Sequence, residues 1–190
     1  MDYILTNAEF VLLLLIGERP GINGYTIRRL VKERGISAWA GVGSSSIYNG
    51  LKRIEARDLA VSAVDTQKQD RGPPGQLFRL TRYGKEALLG AIADGLSSTR
   101  EHDPRFNIAL CGIDQFGLGE TVECLQRRSA FLEVEYDRVS DVYERGEDLP
   151  LSARLLFDRI LHGIEAEQAW TRAAATKVRA ARVRTKKGPT

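Results

Sequence analysis

The side chains best suited to chemistry fall between Ser44 and Arg57. At about 100° per residue, Ser45, Asn49, Lys52, Arg53 and Ala56 share one side of a helix, with Ser46 and Tyr48 at its edges and Ser44 at its start. Hydroxyls, an amide, two cations and one aromatic ring, with no carboxylate near the centre, can donate to phosphate oxygens and read base edges in a major groove. The opposite side carries Ile47, Leu51 and Ile54, the stripe such a helix would bury. A solvated surface helix can have the same outer composition, so the face takes its meaning from the elements around it.

Catalytic alternatives find less support. Gly41-Val42-Gly43-Ser44-Ser45-Ser46 has the glycines of a phosphate loop but no Lys before the Ser and no strand leading in. No Gly-x-Ser-x-Gly elbow, His-Glu-x-x-His pair or dinucleotide fingerprint occurs. His102 and His162 lack metal-ligand spacing, and Cys111 and Cys124 form neither a CxxC nor a Cys/His cluster. Glu133 and Asp137 read as solvated charge on a helix. The sequence predicts no enzyme, no metal and no cofactor.

Around the polar face, Thr6 followed by Glu9 is a capping box. It opens a first helix whose apolar run, Phe10 to Ile16, requires contact on more than one side and which Gly17, Pro20 and Gly21 end. A second helix opens at Asn23-Gly24, with Ile27, Leu30 and Val31 inward and Gly35 as its stop. Ser44, Ser45 and Ser46 offer N-cap hydroxyls to the third helix, the one that carries the polar face. Gly50 inside it costs roughly 1 kcal/mol relative to Ala, and close approach of a neighbouring helix would explain it. Leu59 to Val64 then reads as a short strand, Asp65 to Gly75 as a polar loop with Lys68 and Arg71, and Leu77 to Leu80 as the returning strand. Thr81 caps a fourth helix. Three helices, a hairpin and a helix is the order of a winged helix-turn-helix, in which cations on the third helix and the hairpin grip DNA from two sides.

Charge is distributed in keeping with that. Of the 190 residues, 1–90 carry 13 basic and 9 acidic side chains, 91–148 carry 6 and 13, and 149–190 carry 9 and 3. A basic first half and an acidic middle suggest one part facing a polyanion and another facing something else. With 43% hydrophobic and 28% charged residues the chain is globular rather than disordered. Its longest apolar run is far short of the roughly 20 residues that span a bilayer, and Met-Asp-Tyr gives no basic start to a secretory signal. The expectation is a cytoplasmic protein with no membrane partner.

The Leu-rich first helix is followed by Asn23-Gly24-Tyr25-Thr26-Ile27 and then by Ser46-Ile47-Tyr48, which leads to Leu51-Lys52-Arg53-Ile54-Glu55. Leu59, Gly72…Pro74, and Phe78-Arg79-Leu80-Thr81 with Gly84 and Lys85 complete the series. In order and spacing, residues 8–90 resemble the PadR family of bacterial transcriptional regulators. The resemblance implies a dimeric winged-helix repressor, with Tyr48 and Lys52 on DNA and the wing against the minor groove or backbone. Tyr25, Ser44, Ser45, Ser46, Asn49, Arg53, Lys68, Arg71, Gln76 and Arg79 complete the expected DNA contacts. Asn23 stands where the family usually has His, and Gly75 and Gln76 stand where it usually has basic residues. Lys68, Arg71 and Arg79 substitute for those at the wing.

In the second half Val122, Leu125, Ser129, Leu132, Tyr136, Val139 and Tyr143 recur at spacings of three and four, a heptad seam. Leu156, Ile160, Gly163, Glu167, Trp170 and Ala174 repeat the pattern on another helix that opens near Leu149-Pro150. These two helices could pair within one chain, but Phe131, Val134, Phe157, Leu161 and Ile164 lie outside the stripes, and the surplus argues for contact with a second subunit as well, in a homodimer. Val122, Leu125, Leu132, Tyr136, Val139, Ile160, Gly163 and Trp170 are its expected contacts. Pro104 starts a stretch to Cys111 that reads as a short helix. The family resemblance also implies a small flat effector, for which Trp39, Phe106, Phe116 and Trp170 are the candidates.

The predicted fold is mainly α with a small β-hairpin wing. A winged-helix DNA-binding domain spans 1–92, a C-terminal helical, coiled-coil-like dimerisation domain 93–176, and a basic flexible tail 177–190. Its expected role is a dimeric, sequence-specific regulator of transcription on double-stranded DNA, a repressor relieved by a small aromatic or apolar effector. The alternative is a winged-helix interaction module that has lost DNA binding and docks partners through its C-terminal helices.

Overall fold

A computed structural model describes residues 4–65, 75–98 and 103–187, with side chains to residue 181. Thr6 caps α1 (Asn7–Glu18) as predicted, accepting from the Glu9 N–H while the Glu9 carboxylate accepts from the Thr6 N–H at 2.8 Å. Every residue from Ala8 to Ile16 is buried, so α1 is a central post rather than a surface helix. Gly17 lies inside the helix instead of ending it, and a Cβ there would strike the Gln115 side chain. After β1 (Ile22–Asn23), α2 (Gly24–Glu33) is capped by Asn23, whose Oδ1 accepts from the Thr26 N–H at 2.8 Å. Ile27, Leu30 and Val31 face the core as expected.

A short α3 (Ile36–Ala40), which the sequence does not announce, sits between Gly35 and Gly41, both with positive φ near 65°. The helix with the polar face is therefore the fourth, α4 (Ser44–Ala56). Its cap is Gly43, with no side-chain cap bond, and the three serines form its first turn instead of preceding it. Val42 is buried, and anchoring it starts the helix one residue early. Strands β2 (Ala60–Val64) and β3 (Gln76–Leu80) pair antiparallel with Ser62 opposite Phe78. β1 adds to the free side of β3, making the predicted hairpin a three-stranded sheet in the order β1-β3-β2. Thr81 caps α5 (Arg82–Ser97), its hydroxyl accepting from the Gly84 N–H at 2.9 Å and donating to the Asp58 carbonyl at 2.6 Å.

The chain divides later than residue 92. Helices α6 (Pro104–Leu110) and α7 (Ile113–Phe116) belong to the first compact unit. Ile108 and Ala109 are fully buried there. Arg105 donates to the Leu5 carbonyl at 2.6 Å and lies 5.5 Å from the Phe10 ring centre, and Gln115 donates to the Leu14 carbonyl. These partners are about a hundred residues away in sequence, which is why local pattern missed the boundary.

The second unit takes in Leu96 and Ser97 at the end of α5 and a pair of helices, α8 (Leu118–Glu144) and α9 (Leu151–Lys187), joined by a six-residue turn. On α8 the predicted seam faces inward, with Val122, Leu125, Leu132 and Val139 buried and Ser129, Tyr136 and Tyr143 half-buried. On α9 the less exposed positions from Phe157 on are Phe157, Ile160, Leu161, Ile164, Gln168, Thr171, Ala174, Ala175 and Val178, so the predicted Ile160 and Ala174 are kept while the rest of the stripe lies one residue further along than predicted. Leu156 and Trp170 are instead 55% and 44% exposed, and Gly163 is open to space. The helix carries two apolar stripes 100° apart, and size decides between them. Thr171 and Ala175 let the helices close up, whereas Trp170 at the seam would splay them. Nor does the helix stop at residue 176. Ala-, Arg- and Lys-rich sequence favours helix, and α9 runs to Lys187.

Candidate nucleic-acid interface

The apolar side of α4 locks it to α1. Ile47, Gly50, Leu51 and Ile54 are buried, and a Cβ on Gly50 would lie 2.5 Å from Leu12 Cδ1, so the two helices cross where only glycine fits. That anchoring leaves Ser44, Ser45, Tyr48, Asn49 and Lys52 exposed and Ser46 half-buried, with Tyr48 at 51% of its free exposure. Its first turn holds no acid. Glu55, further along, accepts a hydrogen bond from the Ser62 hydroxyl at 2.6 Å. Among the described residues Lys52 enters no ion pair, leaving its ammonium to solvent or a ligand.

Expected contacts on other elements are exposed as well. Tyr25 projects from the first turn of α2 at 65% exposure, with the Arg28 guanidinium 5.9 Å from its ring centre. Gln76 and Arg79 are exposed on β3 at the base of the wing. Lys68 and Arg71, expected at the wing, lie outside the described residues.

Arg53 has a partner that sequence reasoning missed. Its Nε donates to Oε1 of the fully buried Glu9 at 2.9 Å, and Arg57 reaches the same oxygen at 3.6 Å. Glu9 was legible as half of a capping box. Nothing local marks an ion pair across 44 residues.

A family model described as the transcriptional regulator PadR-like family matches residues 11–89, from within α1 through α4, β2 and β3 into α5. A PadR family transcription regulator from hypervirulent Clostridium difficile is 30% identical, over 42% of this chain and 78% of that one, with a TM-score of 0.34. This chain belongs to the PadR-like family of transcriptional regulators. Bacillus subtilis PadR solved with operator DNA is 17% identical, over 90% of this chain and 98% of that one, with a TM-score of 0.41. The same protein with p-coumaric acid is 13% identical, over 93% and 98%, with a TM-score of 0.39. No curated protein matches this chain. Members of the PadR-like family are regulators, not enzymes.

A cleft of about 710 Å³ beside the start of α4 is lined by Trp39 together with Asn7, Ser45, Ser46, Asn49 and Arg53 among others. Phe106 and Phe116 are half-buried elsewhere in the first unit, and Trp170 lies on α9 in the second. Of the eight expected dimer contacts, four are buried within the single chain. Val122, Leu125, Leu132 and Val139 are spent on α8's own partner helix, while Tyr136 and Ile160 are half-buried and Gly163 and Trp170 exposed. Among the described residues no group of three His, Cys, Asp or Glu could hold a metal, and no helix is long and apolar enough to cross a membrane.

Proposed function

We propose that the chain is a homodimeric repressor that reads operator DNA with α4. The carrying observation is the division of that helix: one side locked to α1, the other exposing Ser44, Ser45, Tyr48, Asn49 and Lys52 with no acid in its first turn. On this reading Asn49 is suited to an adenine edge and Lys52 to a guanine edge or a phosphate. The serines, Tyr25 and Tyr48 donate to backbone oxygens, and Gln76 and Arg79 steady the wing. Two copies follow from the second unit, where Phe131, Val134, Leu151, Leu155, Leu156 and Trp170 leave large apolar area in water. A twofold pair places two recognition helices on half-sites roughly 34 Å apart. A small aromatic effector would release DNA only by binding one dimer state better than the other, and Trp39 at the cleft beside α4 is its best-placed contact.

The test is fluorescence anisotropy of the purified protein with DNA from upstream of its own gene, at several salt concentrations and against scrambled competitor. Binding that survives competitor and weakens steeply with salt supports the reading. Binding no tighter than to scrambled sequence at every concentration rejects that DNA as operator and turns the search to the interaction-module alternative.

A further inference from the structure

We infer that Glu9 is a positioning residue for DNA recognition: it sets the roll of α4 by holding Arg53 and Arg57 against α1, and so keeps Arg53 out of the phosphate-binding set. The inference rests on α4 being the recognition helix. The two carboxylate oxygens of Glu9 divide the work. Oε2 accepts from the Thr6 N–H at 2.8 Å and the Thr6 hydroxyl at 2.9 Å, closing the cap of α1. Oε1 accepts from Arg53 Nε at 2.9 Å and lies 3.6 Å from an Arg57 nitrogen. Arg53, in the last turn of α4, and Arg57, its C-cap residue, are four apart and reach the same carboxylate oxygen.

The geometry explains why the carboxylate is there. At Gly50 the helices touch through a glycine and Leu12, which fixes their distance, and the buried Ile47, Leu51 and Ile54 set which side of α4 faces the core. The charged clamp adds a directional tie beside that apolar packing. The clamp acts three residues further on, away from that pivot. A helix with its side chains has a radius of about 5–6 Å, so a roll of about 10° moves a side-chain tip by about 1 Å. Recognition groups tolerate roughly half that. A fully buried carboxylate needs its charge partners, which gives the clamp stiffness. The cap of the central post and the orientation of Asn49 and Lys52 are thereby tied through one side chain.

The test is Glu9→Gln, which keeps an acceptor oxygen for Thr6 and removes the charge. Its operator-over-scrambled preference is expected to fall roughly 10-fold, the scale of one lost base contact. On scrambled DNA the slope of log K against log salt is expected to steepen by about 0.9, because a released guanidinium gains a phosphate. Lower thermal stability with unchanged preference and unchanged slope would mean a purely structural ion pair and would overturn the inference.

Arg53→Gln leaves Glu9 with Arg57 and decides the matter if the first variant does not fold. It is expected to lose preference while keeping the wild-type slope on scrambled DNA. A slope shallower by about 0.9 would make Arg53 a phosphate contact and sink the assignment. Wild-type protein that binds both DNAs equally rejects that DNA as operator, while the two slopes still decide the clamp. Wild-type protein that binds no DNA refutes both.

Discussion

Replacing Gly50 with Ala should destabilise this protein, although the same change in an ordinary helix stabilises it. Alanine gains about 1 kcal/mol over glycine in a helix interior. Here the new methyl would sit 2.5 Å from Leu12 Cδ1, where carbon atoms prefer about 3.5–4.0 Å. Leu12 is fully buried and cannot swing into solvent, so either it leaves its rotamer or α4 lifts from α1 by about 1 Å. Overpacking of this kind costs about 1–3 kcal/mol, and after the propensity gain a net loss of about 1 kcal/mol remains. For a chain of this size that is a fall in Tm of about 2–4 °C. Gly90, in α5 with nothing within 4 Å of its would-be Cβ, is the matched control, and Gly90→Ala should raise Tm by a similar amount. Thermal unfolding followed by far-UV circular dichroism reads both. Leu12→Ala supplies space, so Gly50→Ala made in that background should lose its penalty, a coupling a double-mutant cycle measures. If Gly50→Ala stabilises as much as Gly90→Ala, the close crossing of α1 and α4 is wrong.

Lys52→Ala should weaken DNA binding and shallow its salt dependence by about 0.9 in log–log slope, and an unchanged slope would take Lys52 off the phosphates. Leu155→Asp, at a site 59% exposed in the single chain, should leave helix content intact and yield monomer by sedimentation equilibrium. A dimer as tight as wild type would move the interface elsewhere. Leu132→Asp should instead disrupt the α8–α9 pair itself, read as lost helicity on mild heating, since Leu132 is buried inside the chain. Thr6→Ala removes the hydroxyl half of the α1 cap and should cost about 1 kcal/mol by urea unfolding, with no change counting against the capping box.

Much of the interface could be read along the chain because it depends on short-range order. The Thr6–Glu9 box, the Asn23 cap, the Thr81 cap and the alternation of buried and exposed positions on α4 are each set within one or two turns of helix. Even the mid-helix Gly50 announced a close neighbour, though not which one. The errors share one cause. The Gly43 start of α4, the placing of α6 and α7 with the first unit, and the one-residue error in the α9 stripe all depend on what a segment touches at long range.

The sequence by itself determined the helix and strand order and the polar face of α4, since composition and periodicity act over a few residues, and its motifs carried the resemblance to the family. Tertiary structure alone decided that Glu9 holds Arg53 and Arg57, and that α8 spends its seam on α9. It also decided that Leu156 and Trp170 are left outside. Those outcomes turn on which of two equally apolar stripes allows closer packing, and on which cation lies nearest a buried charge. Such competitions are settled by distances between residues far apart in the chain, and no local pattern encodes them.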